Sequence, residues 1–171
     1  MAATAFGDPN LVWQKVNQAL STQGNSGVSG AASPASQNAF RALKLQLATQ
    51  EGNAQLQFVP FGEADVDAAT GFAGPTGVFT LYGMWAKKSG TGTTISFLNL
   101  RNGVSGGTGA SGVLVSTKFS GPGDEGIYIS PSGLPFGQTT GSLIMSVTAI
   151  GGSTATTGDS DSQHGFLVIG A

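Results

Sequence analysis

The segment VFTLYGMWAKKSGTGTTISFLNLR, residues Val78–Arg101, decides the fold. Its first arm, Val78–Ala86, and its second arm, Thr93–Leu100, are rich in the aromatic and β-branched residues that favour strands. Lys87–Gly92 between them carries charge, serine and glycine, which is typical of a turn. The pattern predicts a β-hairpin with a glycine-rich tip in which both lysines are solvated.

Alternation of polar and apolar residues does not assign an inward face to this hairpin. In the second arm, Ile95 and Phe97 share one parity, whereas Leu98 and Leu100 share the other. An isolated pair of strands is not stable in water. We therefore expect the rest of the C-terminal region to supply a second sheet that covers the hairpin.

Short apolar runs separated by glycine, proline and serine predict further strands. Leu56–Phe61 contains Pro60, which favours a sheet edge or the end of a strand over a central position because proline has no backbone N–H to donate. The other runs are Val113–Phe119, Glu125–Ile129 with a proline-bent corner at Ser130–Gly137, Ser142–Ile150 and Phe166–Ile169. Because no helical period lies between these runs, they predict a mainly β fold, an antiparallel jelly-roll-like β-sandwich over residues 61–171.

Two pairs of a capping residue and a proline predict helices in the first third of the chain. Asp8-Pro9 opens a helix of about residues 9–23, and Ser33-Pro34 opens one of about residues 34–51, each with one apolar stripe. We interpret residues 1–60 as a two-helix arm. Its stripes must pack on each other, on the sheets or on another chain, and the sequence leaves these alternatives open.

Composition excludes several classes of protein. Charged residues make up 9% of the 171 residues, against roughly 25% in ordinary globular proteins. The net charge is −2 and there is no basic run, so we expect no nucleic-acid partner. The absence of cysteine excludes disulfides, zinc ribbons and thiol catalysis. No apolar run approaches the ~20 residues of a membrane span, and the N-terminus lacks a signal-peptide pattern, so we expect no membrane partner.

Two glycine motifs resemble catalytic or cofactor-binding fingerprints. Gly107–Gly112 matches G-x-G-x-x-G, but a predicted strand follows it where a dinucleotide site needs a helix, so we interpret it as a loop. Ser105 lies in a G-x-S-x-G match, and with His164 and Asp159 it could form a hydrolase triad only on a strand-to-helix turn. We favour His164 as an ordinary surface residue.

Carboxylates cluster at two places without a complete ligand pattern. Glu63, Asp65 and Asp67 alternate, as do Asp159 and Asp161, and such groups can bind hard cations. We favour solvated turns, because no complete calcium loop is present. A glycosidase pair would draw on Glu63, Asp124 or Glu125, and their spacing does not single one out. We expect no catalytic residues, no cofactor and no metal.

The hairpin also carries a family resemblance. Gly77–Lys87, with its LYG-hydrophobic-WAK pattern, resembles a hairpin in small virion proteins of tailed bacteriophages, the head decoration or capsid-stabilising (cement) proteins. Gly126–Phe136 is similar to a corner in the same proteins, and the following strands come in the same order. The resemblance covers roughly residues 75–171. The two helices lie outside it.

The resemblance implies a structural role on the outer surface of the virion capsid. The protein would assemble in the host cytoplasm as a homo-oligomer, a homotrimer at local threefold positions, and bridge subunits of the major capsid protein. The candidate contact residues are Trp13, Val16, Leu20, Phe40, Leu43, Leu47, Tyr82 and Trp85. One alternative is a tail-fibre or spike tip that binds host-surface glycans through Tyr82, Trp85 or Tyr128. Another is a small hydrolase that uses carboxylates or Ser105.

Overall fold

The computed structural model describes residues 9–21, 32–48, 56–61, 77–88, 96–103, 113–119, 123–138, 142–149, 154–155 and 163–170. They form antiparallel sheet with two helices, which confirms the predicted mainly β class. The helices are α1 (Pro9–Leu20) and α2 (Pro34–Ala48). The strands are β1 (Leu56–Phe61), β2 (Gly77–Lys88), β3 (Ser96–Gly103), β4 (Val113–Phe119), β5 (Glu125–Gln138), β6 (Ser142–Ala149), β7 (Thr154–Ala155) and β8 (Gln163–Gly170).

The strands form two four-stranded sheets. The first sheet has the order β1-β8-β2-β5, and the second has the order β4-β3-β6-β7. The predicted hairpin is therefore wrong, because its two arms, β2 and β3, lie in different sheets. β2 pairs with β8 and β5, whereas β3 pairs with β4 and β6. In the sequence, both arms carry apolar residues at both parities, so composition alone could not choose their partners.

β8 is one of the two interior strands of the first sheet, with β2, and its side chains enter both cores of the molecule. Its side chains alternate between the faces of the first sheet, as strand geometry requires. Leu167 and Ile169 join a cluster with Leu81 of β2 and with Leu100 and Phe119 of the second sheet. Phe166 and Val168 join a second cluster with the helices. We call the first cluster the inter-sheet core and the second the helix–sheet core.

A β-bulge in β2 sets which side chains enter each core. Leu81 is paired with Ile169 and Gly83 with Val168, so Tyr82 is an extra residue in the strand. Because of this extra residue, Leu81 and Met84 both face the inter-sheet core although their numbers differ in parity. Tyr82 and Trp85 face the helix–sheet core.

β5 is also irregular where it pairs with the bulged part of β2. Leu134 pairs with Leu81 and Ile129 pairs with Gly83, so Ser130–Gly133 is inserted opposite Tyr82. The predicted corner at Ser130–Gly137 is thus not a break between strands. It is an irregular part of one long strand that continues to Gln138.

The two helices are joined at one end and cover the first sheet. Ser33 is the N-cap of α2, and its Oγ accepts a hydrogen bond from the Ser36 N–H at 3.2 Å. The Ala32 N–H donates to the Leu20 carbonyl at 3.0 Å, which brings the end of α1 to the start of α2. The predicted helix ends at residues 23 and 51 lie outside the described residues. Neither described helix is long and apolar enough to cross a membrane.

β1 belongs to the first sheet, at its edge, as Pro60 predicted. It pairs with β8 from Leu56 opposite Gly170 to Phe61 opposite Gly165. Leu56 enters the helix–sheet core and Val59 enters the inter-sheet core. The predicted division between an arm and a β domain at residues 60 and 61 therefore falls inside a strand of the sheet.

Candidate functional site

The residues predicted to contact a partner are packed against other residues of the same chain. Seven of the eight are buried in the helix–sheet core, and Leu47 is half-buried at its margin. The seven buried residues are Trp13, Val16, Leu20, Phe40, Leu43, Tyr82 and Trp85. On the folded chain these side chains are not accessible to a partner. A surface that meets a partner must therefore be formed by other residues.

Phe166 of β8 is the centre of the helix–sheet core. Its ring centroid lies 5.1 Å from that of Phe40, 5.0 Å from that of Phe58 and 5.8 Å from that of Trp85. These separations are within the range of favourable aromatic pairs. α2 comes so close to the sheet that a Cβ at Gly83 would lie 2.9 Å from Phe40 Cε1. The helical layer is thus packed tightly on the first sheet.

Glu125, at the start of β5, fastens α2 to the sheet. The Ser33 N–H donates to both carboxylate oxygens, at 2.7 Å and 3.0 Å, and the Ser36 hydroxyl donates to one of them at 2.8 Å. A carboxylate at a helix N-terminus is also favoured by the helix dipole. The capping pair Ser33-Pro34 predicted the start of the helix. The carboxylate that Ser33 contacts lies 92 positions away, and no sequence pattern indicated it. This candidate glycosidase carboxylate therefore holds a helix in place.

The lysines at the end of β2 are buried, so the prediction of a solvated tip is wrong. Lys87 is 8% exposed and Lys88 is 0% exposed. Lys87 lies opposite Glu125 in the register of β2 with β5, and the Lys88 N–H donates to the Asp124 carbonyl at 2.9 Å. β2 continues through both lysines because β5 and β8 flank it there. Two lysines followed by serine and glycine favour a turn. Here the hydrogen bonding of β2 with β5 and β8 overrides that local preference.

The outer surface of the helical layer carries exposed leucines and basic residues. Leu11 is 57% exposed and Leu45 is 69% exposed. Lys15 lies one turn after Leu11 on α1, and Arg41 lies one turn before Leu45 on α2. Both basic side chains are exposed, as is that of Lys44. We call these five residues the basic helical face.

The aromatic platform proposed for glycans does not form on the described surface. Tyr82 and Trp85 lie under the helices in the helix–sheet core. Tyr128 is half-buried and packs against the inter-sheet core. Ile127, opposite Trp85 on β5, is 40% exposed.

The remaining candidate residues are only partly covered by the described residues. Gly107–Gly112 and Ser105 lie outside them, as do Glu63, Asp65, Asp67, Asp159 and Asp161. His164 lies in β8, opposite Lys87. Within the described ranges, no group of three or more histidine, cysteine, aspartate or glutamate side chains could hold a metal ion.

No protein-family model, no curated protein and no solved structure matches the chain. Of the surfaces built from described residues, the basic helical face combines exposed apolar side chains with a uniform sign of charge. That combination suits contact with another macromolecule.

Proposed function

We propose that the protein is a structural virion protein of a tailed bacteriophage. It binds the outer surface of the assembled capsid and stabilises the shell by bridging subunits of the major capsid protein. The observation that carries this proposal is the helical layer packed on the first sheet, with Leu11 and Leu45 exposed on it. The resemblance of Gly77–Lys87 to head decoration proteins points the same way. The role is one of contact and not of catalysis.

The proposed fold is an antiparallel β-sandwich of the jelly-roll type. In its support, the strand pairs are nested: β3 with β4, then β2 with β5, then β1 with β8. Nested antiparallel pairs divided between two sheets are what a rolled double Greek key requires. Residues of both sheets also share the inter-sheet core. At one edge, Gly126 of β5 lies so near β4 that a Cβ would overlap the Thr117 side chain.

The architecture suits binding to a repeating lattice. The carboxylate of Glu125 and the aromatic cluster around Phe166 hold the helical layer on the first sheet, so the outer surface is preorganised. A preorganised contact surface loses less free energy to ordering when it binds. If the protein acts as a homotrimer, three weak contacts to neighbouring capsid subunits add up to strong attachment.

Binding to shells tests the proposal. Purified protein is mixed with expanded shells assembled from the major capsid protein encoded in the same genome, and bound protein is measured by co-sedimentation. We expect saturable binding in a fixed ratio to capsid subunits, and a higher temperature of shell disruption. Unexpanded shells are the control for dependence on the mature lattice. A protein that stays monomeric in sedimentation velocity and does not bind expanded shells would contradict the proposal.

A further inference from the structure

Charge is distributed unevenly between the helices and the rest of the chain. α1 and α2 carry three of the seven basic residues, Lys15, Arg41 and Lys44, and none of the nine acidic ones. The remainder has four basic and nine acidic residues, a net charge of −5. All three helical basic side chains are exposed. The helical layer is thus the positive region of a chain whose net charge is −2.

The basic residues of the helices lie beside exposed apolar ones. Leu11 and Lys15 are neighbours on the surface of α1, and on α2 Arg41 is a neighbour of both Leu45 and Lys44. The Asn38 Oδ1 accepts a hydrogen bond from Arg41 Nη1 at 3.2 Å, which orients the guanidinium. Arginine is one of the residues that most often dominate protein–protein binding, and exposed leucines beside it add apolar area that a partner can bury.

The sign of the charge selects the partner. Two copies of the chain cannot pair through this face, because three positive charges on each copy would repel those of the other. A nucleic-acid site would use a denser run of basic residues with aromatic side chains for stacking, and here the aromatic residues of both helices are buried. An acidic protein surface with apolar pockets satisfies both the leucines and the charges.

We propose that the basic helical face docks on an acidic patch of the outer capsid surface. This inference rests on the proposed function and names the part of the molecule that makes the contact. It places the first sheet and its helices toward the shell, and the second sheet away from it. Binding should therefore weaken as the ionic strength rises, since exposed charge pairs are screened by salt.

Charge reversal tests the docking face. The variant K15E/R41E/K44E and the variant L11S/L45S are compared with the wild type by co-sedimentation with expanded shells. We expect each variant to bind at least about tenfold more weakly, because both kinds of contact contribute to affinity. K118E, which reverses an exposed lysine on β4, is the matched control and should bind within about twofold of the wild type. Circular dichroism and thermal melting check that each variant is folded.

Zero-length carbodiimide coupling gives a second measurement that needs no variant. On wild-type protein bound to shells, the reagent should join Lys15 or Lys44 to aspartate or glutamate of the major capsid protein. If the wild type does not bind shells, the proposed function fails and the docking face with it. If the wild type binds but K15E/R41E/K44E binds equally well and no coupled peptide contains Lys15 or Lys44, only the docking face is wrong. Tighter binding of the wild type to poly(U) or to phosphatidylglycerol vesicles than to shells would also overturn it.

Discussion

The side chain of Glu125 links the helical layer to β5 by hydrogen bonds. Replacing it with glutamine removes the charge and one acceptor oxygen, so the Ser33 N–H and the Ser36 hydroxyl compete for a single acceptor. We expect Glu125→Gln to lower the free energy of unfolding by about 1–2 kcal/mol, in line with loss of a hydrogen bond to a charged group. Urea denaturation followed by circular dichroism measures the change.

A double-mutant cycle separates this contact from general effects at the site. Ser36→Ala removes the hydroxyl that donates to Glu125, and the double variant should lose less stability than the sum of the two single variants. Lys118→Ala, an exposed control on β4, should change stability by less than about 0.5 kcal/mol. Strict additivity of Glu125→Gln and Ser36→Ala would show that their hydrogen bond does not contribute to stability.

The contacts of single residues were the part that the sequence predicted least well. Lys87 and Lys88 have the composition of a solvated turn, yet pairing with β5 and β8 carries β2 past them and buries both. The bond from Ser33 to Glu125 joins residues 92 positions apart, and local pattern contains no information about such a partner. By contrast, the apolar stripes of both helices, predicted from the helical period, are buried at Val16 and Leu43.

At the level of elements, β8 contributes buried side chains to both the inter-sheet core and the helix–sheet core. Phe166 and Leu167 are adjacent, fully buried and directed to opposite faces. We expect Phe166→Ala to cost about 3–5 kcal/mol and Leu167→Ala about 2–5 kcal/mol. The two substitutions should affect different regions. Phe166→Ala should raise amide hydrogen exchange in α1 and α2, and Leu167→Ala should raise it in the strands that share the inter-sheet core. Hydrogen exchange with mass spectrometry measures the two patterns.

A substitution at an exposed position of β5 is the control for the two substitutions in β8. Ile127→Ala on β5 removes a side chain that is 40% exposed and should have a much smaller effect than either core substitution. If Phe166→Ala raised exchange equally in the helices and in β3 and β4, the two cores would act as one unit. That result would contradict their separation by the first sheet.

The helices and most strands could be predicted from sequence, but their pairing could not. Helix starts at Pro9 and Pro34 follow from the capping pairs, and the apolar runs mark the strands. β2 and β3 were predicted to pair because they are adjacent in sequence and similar in composition. The bulge at Tyr82 could not be seen, because both faces of β2 are buried and the strand shows no alternation that a shift would interrupt.

For the whole molecule, the helical layer is needed as a cover for the first sheet. Removing residues 1–48 would expose a continuous apolar face that includes Leu56, Tyr82, Trp85, Phe166 and Val168. We expect the shortened chain to bind the dye ANS strongly and to self-associate, because a large exposed apolar patch favours aggregation. ANS fluorescence and sedimentation velocity measure this, with the full chain as control. A shortened chain that is monomeric and does not bind ANS would mean that the helices are a dispensable arm.

The central place of β8 has a consequence for biosynthesis. β1 and β2 emerge from the ribosome early, yet the strand that lies between them in the first sheet is translated only after β3 to β7. Until residues 163–170 have left the exit tunnel, the nascent chain holds two unpaired strand edges and an incomplete apolar face. Folding of the first sheet is therefore expected to finish only after β8 has left the exit tunnel, and the yield of soluble protein in cells should depend on chaperones that protect the unpaired strand edges until then.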